Sequence, residues 1–377
     1  MVTIWFSKLK RKTEGFPINR KNWWLLSLLA ILTLALAACG SSKKTNKSGS
    51  EASDIAFKVN SGEYVTITKY DETDEKTYLK LNVTVQNKSK NEIPVNSSNF
   101  SLYGSKDDEK IDSVYVNPPD EESFKELSGS ISPEKKASGD LFYPVNKEEK
   151  YELHYQPRIY DDKGEKHKEL VVSVDPSKYK NDSENAKKAV AAYVDQVFLS
   201  NDNPDFKSLL TNDVLADSQK FDEELANQLK EGFGEFTPSM RLEKMFIEKY
   251  RNALNKKIEP TYKIAYGDSK QAKINVSFKN FDTSDLYKQS RKVSEQFAKK
   301  NQNKYSYKEY KKAQEDALNY TFSRIDQIMN NTSLKDDSRE YALILKETDG
   351  KWTIQKTDQD MNSEYDDLLK AFVLQTY

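Results

Sequence analysis

The chain of 377 residues contains a single cysteine, Cys39, and that cysteine ends an apolar run. Without a second thiol no disulfide can tie the fold together within the chain, and no thiolate cluster can hold zinc. Everything beyond Cys39 must therefore be held by buried apolar surface, which demands strands and helices with continuous apolar faces.

The setting of Cys39 has its own logic. Lys8, Lys10, Arg11, Lys12, Arg20 and Lys21 precede a stretch of 16 residues from Trp23 to Ala38 that is apolar except for Ser27 and Thr33. A spanning helix needs roughly 20 such residues. Leu36-Ala37-Ala38-Cys39 instead puts small side chains ahead of a thiol, the order of a bacterial lipoprotein signal. This predicts a signal peptide over residues 1–38, cleavage at Ala38-Cys39, and Cys39 as an S-diacylglycerol N-terminus. Residues 39–53 are then the lipidated cysteine and a flexible tether, because nothing in Gly40 to Ser53 is apolar enough to pack. The partner so implied is a lipid bilayer, reached through the Cys39 acyl chains at the extracytoplasmic face of the cell membrane. Each acyl chain contributes about 0.8 kcal/mol per buried CH₂.

Removing the first 38 residues takes six Lys and Arg and one Glu from totals of 59 basic and 60 acidic residues, leaving 53 against 59 and a net charge of −6. An acidic surface argues against nucleic acid as a partner. The sparse Gly (12) and Pro (11) against abundant Lys, Asn, Asp and Glu suggest a low-GC Gram-positive source.

From residue 54 to 175 the pattern has period two. Leu79, Leu81, Val83 and Val85 alternate with polar groups, as in a half-buried antiparallel strand. Ile93, Val95, Phe100 and Leu102 resume the series after the turn Asn87 to Asn91. Further strands are expected over Phe57 to Thr68, at Ile131, and over Leu141 to Val145, Tyr151 to Tyr160 and Leu170 to Val174, with a turn at Asp161-Asp162-Lys163-Gly164. About seven short strands with little helical period predict a β-sandwich.

After Asp175-Pro176 and a polar stretch the period changes, and residues 183–377 read as an α+β domain. Ala186, Ala189, Val190, Tyr193, Val194, Val197 and Phe198 fall on one helical face, with Asp182 or Ser183 as N-cap. A second helix carries Phe221, Leu225 and Leu229; a third starts at Thr237-Pro238 with Leu242, Met245, Phe246 and Leu254 inward. Two strands, Tyr262 to Tyr266 and Ala272 to Phe278, flank the turn Gly267 to Lys270. Two long helices follow, one with Leu286, Val293 and Phe297, the other opened by the capping box Ser306-Tyr307-Lys308-Glu309 and running towards Met329. A hairpin turning at Asp349-Gly350 joins Tyr341 to Leu345 and Trp352 to Gln355. The last helix begins at Ser363 and buries Tyr365, Leu368, Leu369, Phe372 and Val373.

Tyr78, Leu79, Val83, Val85, Asn87, Ile93, Val95, Asn99, Phe100, Leu102 and Gly139-Asp140-Leu141-Phe142 together resemble an immunoglobulin-like domain of unknown function that recurs in Gram-positive lipoproteins. That family carries Pro-Gly before its last strand, where this chain has Pro133-Glu134. Residues 183–377 look like the C-terminal domain, also of unknown function, that follows such sandwiches. Helices followed by hairpins are similar, more weakly, to the cystatin-like and nuclear-transport-factor-like cone folds, which often hold a small-ligand pocket. These resemblances imply architecture and no chemistry.

No residue is assigned a catalytic, cofactor or metal role. His154 and His167 lack partners at ligand spacing, and no Gly-x-Ser-x-Gly elbow accompanies them. Asp358-Gln359-Asp360-Met361-Asn362 matches the start of a calcium loop, but the Gly and the bidentate Glu it needs are Ser363 and Leu369. The acidic clusters Asp71 to Glu75, Asp107 to Glu109 and Asp120 to Glu122 read as solvated loops. Tyr143, Tyr151, Tyr155 and Tyr160 read as half-buried strand residues, Tyr305, Tyr307 and Tyr310 as residues near a helix start, and Trp352 as a core anchor. The expectation is a non-enzymatic binding or scaffold lipoprotein, with a cell-wall polymer or another envelope protein as candidate partner. The alternatives are a carboxylate-based hydrolase or small-ligand pocket in the second domain, and a host-facing adhesin or antigen.

Overall fold

A computed structural model describes residues 49–52, 54–68, 74–106, 109–116, 125–157, 168–336, 339–356 and 364–374. Residues 47–377 form one compact unit. The first half is a sandwich. One layer contains β2 (Ile55–Ile67), β3 (Lys76–Asn87) and β8 (Lys136–Pro144), with β1 (Gly49–Glu51) beside β2. The other runs in the order β10 (Leu170–Val174), β9 (Tyr151–Tyr155), β5 (Phe100–Gly104), β6 (Lys110–Asp112). Between them β4 (Ile93–Pro94) pairs with β7 (Ser130–Ile131). The alternation of β3 is realised: Leu79, Leu81, Val83 and Val85 are fully buried. They share one core with the ring cluster of Phe57, Phe100 and Tyr155, in which Phe100 and Tyr155 stack at 4.7 Å, and aromatic pairs of this kind add to plain area burial.

The tether is shorter at its far end than the sequence implies. Residues 49–51 form β1 because an edge strand offers unpaired main-chain groups, and pairing Gly49 with Lys58 and Glu51 with Ala56 needs no apolar side chain. An ion pair between Lys88 and Glu51 adds to it.

The second half begins with α1 (Ser183–Val194), continued by a π-turn over Asp195–Leu199. Then come α2 (Asp205–Leu209), α3 (Val214–Phe233), α4 (Met240–Lys257), β11 (Thr261–Gly267), β12 (Gln271–Ser277), β13 (Asn280–Phe281), α5 (Thr283–Lys300), α6 (Tyr310–Phe322), α7 (Ile325–Asn331), β14 (Leu334–Lys335), β15 (Tyr341–Thr348), β16 (Lys351–Ile354) and α8 (Glu364–Phe372). The apolar face of α1 lies on β11 and β12. Phe198 stacks on Phe372 at 4.5 Å and meets Phe221 edge-on at 5.1 Å, which closes the helical layer over the sheet.

Two local readings change, and of the two N-caps offered for the first helix one is selected. The third helix starts at Met240, because Ser239 outcompetes Pro238 as the start signal by accepting Leu242 N–H at 3.3 Å. The helix expected to run from Ser306 to Met329 is two. The Ser323 hydroxyl and the Arg324 guanidinium both donate to Tyr320 O at the end of α6, and that guanidinium covers the Tyr320 ring, so the last carbonyls find partners outside the helix. Ser183 sits inside the first turn of α1, and Asp182 is the N-cap.

The two halves share a sheet. Its order is β16-β15-β12-β11-β2-β3-β8, and β2 meets β11 through Ile67–Tyr266 and Thr66–Gly267. Among the described residues two ladder pairs make this join, with Thr68 N–H on Ala265 O beside them, and side chains complete it. The Glu75 carboxylate accepts Ile264 N–H at 2.8 Å and the Lys187 ammonium at 2.9 Å. The Thr66 and Ser183 hydroxyls lie 2.7 Å apart. Ser269 N–H donates to Glu63, which also pairs with Lys80 at 3.1 Å. Burial pushes the Glu63 carboxyl up, but the Ser269 hydrogen bonds and the Lys80 charge outweigh it and hold it below the usual carboxylate range. Burial likewise lowers Lys80, and the charges of Glu63 and Asp268 more than restore it. The connection over residues 175–182 lies against β2: Lys180 O accepts Tyr64 N–H, and Pro176 O accepts the Tyr64 hydroxyl. The turn Asp161 to Gly164 lies outside the described residues.

Two substitutions test this architecture. Glu134 occupies the left-handed region at φ 58° after Pro133, in a turn closed by Lys135 N–H on Ser132 O. That is the glycine position of a type II turn. Glu134→Gly removes a strain of roughly 1–2 kcal/mol at some entropic cost, so the denaturation free energy of residues 47–377 rises by about 0.5–1 kcal/mol; an unchanged or lower value contradicts the strained turn. At Gly267 a Cβ would lie 2.7 Å from Ser183 Cβ, so Gly267→Ala must open the join. It lowers stability by about 1–3 kcal/mol, read by urea denaturation. A midpoint equal to that of the parent protein would mean that β2 and β11 do not pack in solution.

Candidate functional site

The buried polar clusters of the second half are closed. Arg251, 8% exposed, donates from Nε to Asp222, from Nη1 to Val197 O and Ser200 Oγ, and from Nη2 to Ser218 O and Oγ. Its five N–H groups are all used, and Phe221 lies under the guanidinium plane. The cluster ends the π-turn and fixes Ser200 in its left-handed conformation at φ 56°. A second cluster joins four residues. The Tyr193 hydroxyl donates to Asp217 at 2.9 Å and lies 2.8 Å from that of Tyr365, while Lys356 pairs with the other Asp217 oxygen. Burial raises both phenols, that of Tyr365 to about 12, so they act as hydrogen-bonding groups and not as bases.

Two concavities stand out among the described residues. The larger, about 460 Å³, lies where β13 and β14 meet the ends of α4 and β12. Three of its charged residues are occupied. Lys257 donates to the carbonyls of Met329, Asn330 and Thr332 at the end of α7, Arg339 pairs with Asp367, and Glu340 accepts from Asn275. The cleft is a seam between elements.

The smaller concavity is less committed, although Gln289 donates to Asp285 and accepts from Lys292. A groove of about 380 Å³ runs between α5 and α7, lined by Gln289, Lys292, Gln296, Gln327 and Asn331 over Val293 and Ile328. Val293 and Ile328 are buried and form its floor, whereas Lys292, Gln296, Gln327 and Asn331 are exposed. Its geometry follows from sequence: Gln289, Lys292, Val293 and Gln296 repeat at helical spacing on α5. The helix break at Ser323-Arg324 sets α7 as a separate element beside them. Amides offer both donors and acceptors, and an apolar floor suits the flat faces of a polyhydroxylated chain.

Hydrolysis by paired carboxylates calls for one acid with a raised pKa. Among the described residues every carboxyl group with a resolved shift moves downward: Glu63, Asp175, Asp285, Glu309, Asp326 and Glu347. No group of three or more His, Cys, Asp or Glu among the described residues could hold a metal.

The structure disperses the residues singled out from sequence. Cys39, His167, Tyr160, Asp120 to Glu122 and Asp358 to Asn362 lie outside the described residues, as do Asp71 to Thr73 and Asp107-Asp108. Glu75, read as a solvated loop residue, is a pin of the inter-domain join; its partners are distant in sequence and leave no local signal. His154 points away from the sandwich core and pairs with Glu169 at 3.1 Å. Tyr143, Tyr151 and Tyr155 are buried, and Trp352 is a core residue at 3% exposure. Tyr307 and Tyr310 are 96% and 68% exposed beyond one end of α5. The groove was missed, although the amide and lysine pattern of α5 is present in the sequence.

No helix among the described residues is long and apolar enough to cross a membrane. Residues 46–167 match the family described as Domain of unknown function (DUF4352), and residues 177–373 match Domain of unknown function (DUF5105). The Uncharacterized lipoprotein YcdA of Bacillus subtilis is 32% identical over 202 residues, which span 50% of this chain and 55% of that protein. The chain therefore aligns in sequence with only about half the length of this relative. A crystal structure of the lipoprotein ycdA from the same organism is similar in fold, with a TM-score of 0.65 and 22% identity over 87% of this chain and 99% of that one. The chain thus belongs to the DUF5105 family, with that domain of unknown function following a DUF4352 sandwich, and it is related to a lipoprotein.

Proposed function

We propose that the protein is an extracytoplasmic lipoprotein, held to the outer face of the cell membrane by acyl chains on Cys39, whose folded part binds a component of the envelope without chemically changing it. The observation that carries the binding part is the open groove between α5 and α7, with hydrogen-bonding amides over an apolar floor. Such a surface recognises; it offers no activated nucleophile or acid. The relationship to a lipoprotein supports the anchor, as does the order of basic, apolar and small residues before Cys39. The shared sheet supports a scaffold role, since it carries the second half on the first without a free hinge.

The anchor is tested in a bacterial host fed an alkyne-bearing fatty acid. The full chain takes up label and fractionates with membranes, whereas Cys39→Ala does neither; a variant as membrane-bound as the parent would refute lipidation at Cys39. The binding role is tested by co-sedimenting residues 47–377 with purified cell walls, with and without their anionic polymers, at low and high salt. Saturable retention is the expected result, and its absence under all conditions removes wall material as the ligand.

A further inference from the structure

The groove leads to an unusual piece of surface. Residues 299–312, where the chain passes from α5 into α6, read KKNQNKYSYKEYKK, with six Lys, three Tyr and one Glu. All six lysines are exposed. The rest of the chain then carries 53 basic against 59 acidic residues, so this tip is a local reversal of sign on an acidic protein. Its shape is fixed from beneath. The Tyr305 hydroxyl donates to Asp316 at 2.6 Å, Phe297 packs against Tyr305 and Tyr320, and Ser306 and Glu309 close a reciprocal capping box. Three carboxylates near the tip already have roles. Glu309 is engaged in that box, Asp316 accepts from Tyr305, and Glu235 pairs with Lys311. Lys304 lies over the Tyr305 ring. Lys299, Lys300, Lys308 and Lys312 have no carboxylate within ion-pair distance among the described residues.

Tip and groove are one surface. Lys299 follows Gln296 by three and Lys292 by seven positions, and Lys300 follows Gln296, Val293 and Lys292 by four, seven and eight, which places them on the groove side of α5. An extended ligand lying along the amide-lined groove therefore arrives at four lysines and two open tyrosine rings. Clustered ammonium groups attract closely spaced phosphates and gain from counterion release. Tyrosine rings stack on flat ligand faces while their hydroxyls stay in water.

We infer that the α5–α6 tip and the groove behind it bind a phosphodiester polymer built on hydroxylated units, with the lysines on the phosphates and the amides and tyrosines on the units between. This rests on the envelope-binding reading and names the chemistry of its ligand. A bilayer of anionic lipid fits less well. Interfacial binding requires large apolar side chains that insert, whereas the exposed aromatic residues here are tyrosines and Phe297 is buried beneath them.

The test uses residues 47–377 and three probes in calorimetry: poly(glycerol phosphate), vesicles of phosphatidylglycerol, and an uncharged glycan. Saturable binding to poly(glycerol phosphate) is expected, with log affinity falling linearly in log salt. Lys299→Gln, Lys300→Gln, Lys308→Gln and Lys312→Gln together weaken it at least tenfold and flatten the salt slope by about 3, at roughly 0.7 per phosphate contact on a single-chain polyanion. Tyr307→Ser with Tyr310→Ser weakens it while leaving the slope unchanged. The six side chains are exposed, so circular dichroism and melting stay at the parent values. Preference for vesicles or for the uncharged glycan, or full affinity in the lysine variant, overturns the inference. Failure to bind the polymer while purified walls still retain the protein overturns this ligand and leaves the envelope-binding reading intact; loss of both removes the two together.

Discussion

The pairing of β2 with β11 is the constraint on which the rest of the molecule depends. Two ladder pairs and the hydrogen bond from Thr68 N–H to Ala265 O would make a weak join if left alone. What makes it firm is the set of side chains that converge there from distant elements: Glu75 on Ile264 and Lys187, Thr66 on Ser183, and Glu63 on Ser269 and Lys80. Hydrogen bonds in a partly dry seam contribute more than their exposed counterparts, and breaking one leaves a charged or polar partner without water. Close approach is possible only because Gly267 brings no Cβ against Ser183. The sheet consequently passes from sandwich to α+β domain without interruption, and the orientation of the groove is inherited from the sandwich.

This also shows where sequence reasoning stops. Strands with one wet face were legible: β3 and β12 alternate cleanly because their polar positions face solvent or polar neighbours. The Asp349-Gly350 turn was legible because both residues take positive φ, 53° and 83°, a demand that few residue types meet. By contrast β1, β6, β13 and β14 are short, carry few apolar residues, and exist because a neighbouring strand offers main-chain partners. The join itself links residues about 190 positions apart in sequence, Glu75 and Ile264, and no local period encodes that.

The family likeness was informative at one position through its departure. Glu134 stands where the resemblance implies glycine, and the backbone adopts the left-handed conformation all the same. Pro133 fixes the first central residue of the turn, and β7 and β8 on either side are held by their own partners, β4 and β3. The surroundings impose the conformation on a residue that disfavours it, which is how local strain persists in a well-packed fold.

The candidate site combines signals of both kinds. The lysines and tyrosines of residues 299–312 were readable as composition, and the capping box at Ser306 marked a helix start. Their meaning depends on two tertiary facts: that α5 and α6 meet at an exposed tip, and that Ser323 and Arg324 end α6 so that α7 lies as a separate wall beside α5. Had one helix run from Ser306 to Met329, Gln327 and Asn331 would lie on its straight continuation, with no break to set a second wall against Gln289 and Gln296. A two-residue interruption, held by side chains that satisfy Tyr320 O, is thus what gives the second domain a groove. The same interruption sets that groove beside a strongly basic stretch of the folded part.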